Sequence, residues 1–274
     1  MRIERQPGFP APGRPGLFWL GQAGFWIETG RHRILVDPYL SDSLARKYAG
    51  KANDHRRMMS PPIAVEALPR PDLVLVTHAH TDHMDPDTLR PLAERFPDLP
   101  FVVPAARMDV ARERIGESAH LIGVDAGETF DPLEGITITM FPAAHETLER
   151  DAERRFVFLG YGIRAGGFRL YHSGDTIPFD GLAEAVRAFR PDIALLPVNG
   201  RDAVRLAAGI PGNLTLPEAV ALAGAAGAAF LVPHHFGLFA FNTADEAAID
   251  AAVRVAAVPQ ILKPVAGETL ALIG

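Results

Sequence analysis

Apolar and β-branched residues first crowd together in LFWLGQAGFWIETG and RHRILVDPYL, which read as two strands joined by a Thr29-Gly30 turn. The pattern then lapses. Residues 41–62, SDSLARKYAGKANDHRRMMSPP, are polar and basic and close on a double proline, predicting a long loop or short helix. Loops of that length inside a compact domain are usually functional or disordered. DLVLVTH resumes as a buried strand, and PDTLRPLAERF follows as a helix, with Asp85 at the N-cap and Pro86 at the first helical position. FVVPA, a short helix through ARMDVARERI, and HLIGVDAG continue the alternation. GITITMFPA, RFVFLGYGIRAGG and FRLYHSGD form a run of strands, FDGLAEAVRAF an amphipathic helix and DIALLPVNG another buried strand. TLPE, residues 215–218, is a capping box for the Ala-rich helix behind it. AAFLVPHHF is the last core strand, TADEAAIDAAVRVA a helix with its start signal at Thr243 to Glu246, and ILKPVAGETLALI ends the chain. Residues 1–16, rich in Pro and Gly, read as a flexible arm. Each half opens with hairpins and continues with strand–helix units. With no internal repeat and no Pro/Gly linker, one α/β domain over residues 1–274 is expected.

Composition narrows the chemistry. The chain has no cysteine, which excludes disulfides, thiolate ligands and a cysteine nucleophile, so any metal must be held by imidazole and carboxylate. A net charge of −6 argues against nucleic acid as a partner, since phosphate backbones need concentrated basic surface. No apolar run approaches the ~18 residues of a membrane span, so no stable membrane insertion is expected. The N-terminus lacks an apolar signal core, so the expected location is cytoplasmic.

One window stands out. His78, His80, Asp82 and His83 fall just past the end of DLVLVTH and just before the Asp85 cap. Strand alternation lets His78 and His80 point the same way, and a turn at Thr81 brings Asp82 and His83 round to a neighbouring point. One pair then serves one cation and the other pair a second. Imidazole with carboxylate suits zinc, iron or manganese.

The spacing HxHxDH resembles the signature of the metallo-β-lactamase superfamily, and further motifs follow in the family's order: His145 in FPAAHE, Asp175 in YHSGDT and His235 in LVPHHF. The resemblance implies a four-layered αβ/βα sandwich of two mixed sheets flanked by helices, with two divalent metal ions, Zn2+ or Mn2+. By motif match His78, His80 and His145 hold the first metal, Asp82, His83 and His235 the second, and Asp175 bridges them. The family pattern of proline, any residue, histidine selects His235 over His234 through Pro233. His172 is read as a supporting or core residue. Asp37, in LVDP, is either turn chemistry before a proline or a support behind the ligands. His32, His55 and His120 are ordinary polar histidines.

Two cations sharing a carboxylate also share a water and lower its pKa toward neutrality, which makes hydrolysis by a bridging hydroxide the expected reaction. Asp82 is the expected catalytic residue, orienting the nucleophile and receiving its proton. No GxSxG elbow competes. Two other classes stay open: a di-iron redox protein and a scaffold without metal. WLGQAGFWIE, ILVDPYLSD, LYHSGDT and GNLTLPEAVALA look like the L-ascorbate-6-phosphate lactonase subgroup, which implies a small lactone or ester, phosphorylated in the type case. The runner-up is a phosphodiesterase acting on a phospholipid or a cyclic nucleotide. Candidate substrate contacts are Arg201, its neighbour Asp202 as a pairing partner, and Glu146 beside His145. Arg46, Lys47, Lys51, Arg56 and Arg57 form a basic cluster in 41–62 that reads either as a phosphate site or as solvated surface. Phe236, Phe239 and Phe241 read as an acyl pocket or as core, and Met58 and Met59 as lid contacts or packing. Relatives in that subgroup often assemble, which leaves both a homo-oligomer and a monomer open, and the expected partner is a small-molecule substrate.

Overall fold

A computed structural model describes all residues, 1–274. The chain divides into two compact units, one of residues 1–124 with 264–274 and the other of residues 125–263. In chain order the strands are β1 (Arg2–Pro7), β2 (Gly16–Gly21), β3 (Gly24–Glu28), β4 (Arg33–Val36), β5 (Leu73–Leu75), β6 (Pro100–Pro104), β7 (His120–Val124), β8 (Thr129–Leu133), β9 (Ile136–Pro142), β10 (Leu159–Ala165), β11 (Phe168–His172), β12 (Ile193–Pro197), β13 (Phe230–His234), β14 (Gln260–Ile261) and β15 (Glu268–Ile273). The α-helices are α1 (Ser43–Lys47), α2 (Pro86–Arg95), α3 (Met108–Ile115), α4 (Leu182–Phe189), α5 (Ala203–Ala207), α6 (Leu216–Ala226) and α7 (Glu246–Val255).

The first unit is built on an eight-stranded mixed sheet in the order β1-β15-β2-β3-β4-β5-β6-β7, antiparallel from β1 to β4 and parallel from β4 to β7. β4, β5 and β6 are short apolar runs that are mostly buried, as strands between covering layers must be, while the edge strand β7 leaves His120 and Gly123 exposed. Phe18, Trp26, Leu35, Val74, Phe101 and Val103 pack with Leu89 and Leu92 of α2 and Ile115 of α3. Truncating a fully buried phenylalanine such as Phe101 to alanine would cost about 3–5 kcal/mol. The Asp85 cap and Pro86 stand as expected, the Asp85 carboxylate accepting from the Asp87 N–H and the Thr88 hydroxyl.

Two expectations fail in this unit. Residues 2–7 are not an arm but the edge strand, because β15 offers them a free row of backbone groups; Arg2 lies opposite Ile273 and Pro7 opposite Glu268. The segment LFWLGQAGFWIE is not one strand but the hairpin β2–β3. Gly21 and Gln22 take positive φ (93° and 51°) and reverse the chain there, with the Trp19 indole donating to the Gln22 carbonyl (3.0 Å).

The second unit repeats the plan with its own seven-stranded sheet, β14-β13-β12-β11-β10-β9-β8. β8 to β11 form an antiparallel meander, and β11 to β14 are parallel. Gly162 on β10 lies against Phe141 and Phe189, where a Cβ would come within 2.8–2.9 Å of ring carbons. The TLPE capping box forms as read, Thr215 and Glu218 serving each other's backbone. The last helix starts two residues later than expected: Asp245 caps it, while the Thr243 hydroxyl accepts from the Gly237 N–H instead. No helix is long and apolar enough to cross a membrane.

Candidate metal centre

In each unit the candidate ligands follow strand ends, where α/β sheets present ligand-binding loops. In the first unit β5 runs out into Thr77 and His78, and the loop then carries His80, Asp82 and His83 before α2 begins. His78 and His83 are buried and His80 is exposed. The donor atoms of His78 and His80 lie within 4.8 Å of each other, as do those of His78 and His83 and those of Asp82 and His83.

One carboxylate organises this group. Asp37, fully buried just beyond β4 and at φ 42°, accepts at Oδ1 from the Thr77 N–H (2.8 Å) and at Oδ2 from the Thr77 hydroxyl (2.6 Å) and His83 Nδ1 (2.7 Å). The left-handed backbone costs a non-glycine residue of order 1 kcal/mol and is held by those bonds. Thr77, its single proton spent on Asp37, accepts from His78 Nδ1 at 3.0 Å. Asp37 thus stands behind two histidines, one directly and one through Thr77. Asp82 is steadied from another direction, by Gln22 Nε2 on its Oδ2 at 2.7 Å. The Arg114 guanidinium of α3 donates to the Ala79 carbonyl (2.5 Å) and more distantly to that of Met84 (3.3 Å), clasping the loop at both ends; burial pushes its pKa down.

In the second unit the ligands come from three separate segments. His145 follows β9, Asp175 follows β11 through a Ser-Gly turn, and His235 follows β13. Asp175 is nearly fully buried, its Oδ2 lying 3.1 Å from His235 Nε2 and 3.7 Å from His145 Nε2. His145 Nδ1 is bonded to the Gly212 carbonyl at 2.9 Å. His234 ends β13 and stacks on His172 (centroids 4.8 Å apart, planes 14°), whereas His235 lies past the strand at φ 61°, which turns its ring toward Asp175. His172 supports the turn before Asp175, its Nδ1 accepting from the Gly174 N–H at 3.0 Å.

The donor chemistry fits divalent cations. His78, His83 and His145 each donate Nδ1–H to a fixed acceptor, which leaves the Nε2 lone pair of each for a metal. A buried carboxylate between imidazoles, with no sulfur donor, is the ligand type of zinc, manganese or iron.

The expected substrate contacts are placed differently. Arg201 closes its fork on Glu218, both N···O distances 2.7 Å, and a bidentate pair leaves no fork for a phosphate. Asp202 pairs with Arg205 (2.6 Å) rather than Arg201 and caps α5. Glu146, at φ 79°, accepts from the Gly212 N–H at 2.5 Å. The three arginines of the basic cluster do not converge, since Arg46 pairs with Asp87, Arg56 with Asp54, and Arg57 turns inward onto the carbonyls of Tyr39, Ser41 and Met59, whereas Lys47 and Lys51 both lie over the Tyr48 ring. Phe236 and Phe239 are core residues, Met58 is exposed and Met59 lies where a Cβ on Gly21 would meet its sulfur at 3.4 Å. Sequence reasoning missed Gln22, Thr77, Arg114 and Gly212. The Gly-Gln-Ala-Gly turn was a signal for Gln22; a threonine beside a ligand and a distant arginine or carbonyl carry none.

Comparison with known proteins agrees with this chemistry. Residues 32–236 match the model of the beta-lactamase superfamily domain. A UPF0173 metal-dependent hydrolase of Methanoregula boonei is 30% identical over 239 residues, covering 86% of each chain. Two solved structures share the fold: Igni18, described as a novel metallo hydrolase, from Ignicoccus hospitalis (TM-score 0.68, 22% identity, 95% of this chain and 99% of that one), and an isothiocyanate hydrolase from Delia radicum gut bacteria (TM-score 0.75, 20% identity, 94% and 100%). The α/β class read from the alternation of strands and helices is therefore the chain's own, and the match extends from before the Asp37 turn to just past His235. The chain belongs to the beta-lactamase superfamily, among its UPF0173 metal-dependent hydrolases.

Proposed function

We propose that this metal-dependent hydrolase is dinuclear and cleaves a small lactone or ester. His78, His80 and His145 would hold one cation, Asp82, His83 and His235 the other, and Asp175 both. The observation that carries the reading is the anchoring of His78, His83 and His145 through Nδ1, which commits the opposite nitrogen of each ring to a ligand. When bound, two cations sharing a carboxylate acidify water toward neutrality and polarise a substrate oxygen. The protein's own groups do the rest. Asp82, its Oδ2 fixed by Gln22, orients the attacking water and takes up its proton, and the buried Asp175 faces the Nε2 atoms of His145 and His235, where it would share their cations.

The closing of Arg201 on Glu218 takes up the strand-end arginine that a phosphate would need, and so favours a plain lactone or ester. Metal analysis of purified protein, followed by a panel of acyl lactones, sugar-phosphate lactones, phosphodiesters and an isothiocyanate, tests this. Two equivalents of zinc or manganese with turnover of acyl lactones is the expected result. Turnover of phosphodiesters alone would overturn the substrate class, and a protein that takes up no metal would overturn the centre.

A further inference from the structure

The second unit's three candidate ligands lie on segments far apart in sequence, and one loop, residues 199–215, bonds the segments of His145 and Asp175, while Val198 just before it bonds the residue beside His235. At the first, the Gly212 carbonyl accepts from His145 Nδ1 (2.9 Å) while the Gly212 N–H donates to Glu146 (2.5 Å), so a single peptide position grips both sides of that segment. At the second, the Leu214 N–H donates to the carbonyl of Thr176, the residue after Asp175 (2.8 Å); the Thr176 hydroxyl in turn accepts from the Ala144 N–H (3.1 Å), tying the Asp175 turn to the His145 segment. At the third, the Val198 N–H entering the loop donates to the His234 carbonyl (3.1 Å), and Asn199 Nδ2 donates to Asn242 Oδ1 (2.8 Å) beyond His235.

The loop is itself locked. Arg201 forks onto Glu218 and donates to the Asn213 carbonyl (3.1 Å), and its aliphatic stem covers Gly212 so closely that a Cβ there would overlap Arg201 Cβ. Glu218 also accepts from the N–H and hydroxyl of Thr215 in the α6 cap. The Arg201 fork, followed by the Thr215 bonds, holds its carboxyl down at about 2. The lock is therefore fastened to the start of a rigid helix.

We infer that residues 199–215 are a positioning loop, and that Arg201, through Gly212, sets the ring orientation and tautomer of His145 for metal binding. This rests on the reading of His145 as a metal ligand. Arg201 reaches the centre only through Gly212 and is a positioning residue.

The test compares wild type with Arg201→Ala, Arg201→Lys and Gly212→Ala. Nitrogen-resolved NMR of the His145 ring in metal-free protein reports the tautomer, zinc titration reports affinity, and thermal unfolding serves as control. In wild type the His145 Nδ1–H is expected to be protected from exchange. In Arg201→Ala it becomes exchange-labile or shifts to the other tautomer, zinc affinity falls roughly 10–100-fold as for other lost supporting bonds, and Arg201→Lys recovers part of both. Gly212→Ala, which must displace the loop, gives the same signature more strongly. A folded Arg201→Ala that keeps the wild-type His145 signal or the wild-type zinc affinity overturns the inference. If Arg201→Ala does not fold, the same two measurements on Arg201→Lys decide: a partial loss of both supports the inference, and wild-type values of either overturn it. A wild type that binds no zinc while its His145 Nδ1–H is protected and is lost in the variants would sink the metal reading but leave the loop's control of His145 standing.

Discussion

The two units support their candidate ligands by opposite means. In the first, four ligands share six residues, and side chains brace them: the Asp37 carboxylate holds His83 and Thr77, and Gln22 holds Asp82. In the second, three candidate ligands are spread from position 145 to position 235, and main-chain groups of one loop join the segments of the first two, with Val198 before the loop bonded beside the third. A contiguous cluster is ordered by its own turn and needs support only at its back. Ligands from remote segments have no common backbone, so a further segment has to supply one.

The contrast can be broken most severely at Asp175, the shared carboxylate of the second group. Asp175→Ala should abolish both metal uptake and turnover, read by metal analysis and a hydrolysis assay; full retained activity would refute the bridging role. Asp37→Asn should come next. Asparagine tolerates the φ of 42° but offers one acceptor oxygen where three donors converge, so zinc affinity should drop about 10–100-fold in a titration, with a smaller change in unfolding temperature. An effect confined to stability would mean that Asp37 serves the turn alone.

A pH series sharpens the comparison at the other unit's lock. The Glu218 carboxyl is lowered from an ordinary 4.5 to about 2, chiefly by Arg201. A depressed acid stabilises the fold fully above its unfolded pKa and loses that contribution as pH falls through the folded value, so the advantage over Glu218→Gln should be level above about pH 5 and vanish toward pH 2. With solvent screening at this partly exposed pair, the advantage is about 1 kcal/mol, measurable by denaturant unfolding at each pH. A gap that persists unchanged below pH 2 would show that the charge of Glu218 does not matter. The smallest effect belongs to Tyr171, whose buried hydroxyl has no hydrogen-bond partner. Tyr171→Phe removes an unsatisfied polar group at nearly constant shape and should leave activity unchanged and stability equal or slightly higher, seen as an unfolding midpoint at or above wild type.

The legibility of the sequence follows the same division. HxHxDH could be read because strand, turn and helix cap were all local, and the Asp85 and Thr215 caps were readable for that reason. His145, Asp175 and His235 carried no local signal beyond residue type and needed a family pattern to be picked out. Arg201 is ambiguous in sequence because a strand-end arginine looks identical whether its fork meets a ligand or a glutamate 17 residues on. Gly212 acts through its carbonyl, which every residue has. The N-terminal strand was missed because its partner, β15, lies at the far end of the chain.

That last pairing bears on how the molecule is made. β15 sits inside the first sheet, with Thr269 opposite Phe18, so two neighbours are translated about 250 residues apart. The ribosome delivers the whole of the second unit before the strand that completes the first, and the 125–263 stretch can settle while β1 and β2 still wait for their neighbour. Such a distant closure is slow to find, which makes the early, half-finished sheet the stage of biogenesis most exposed to chaperones and to aggregation.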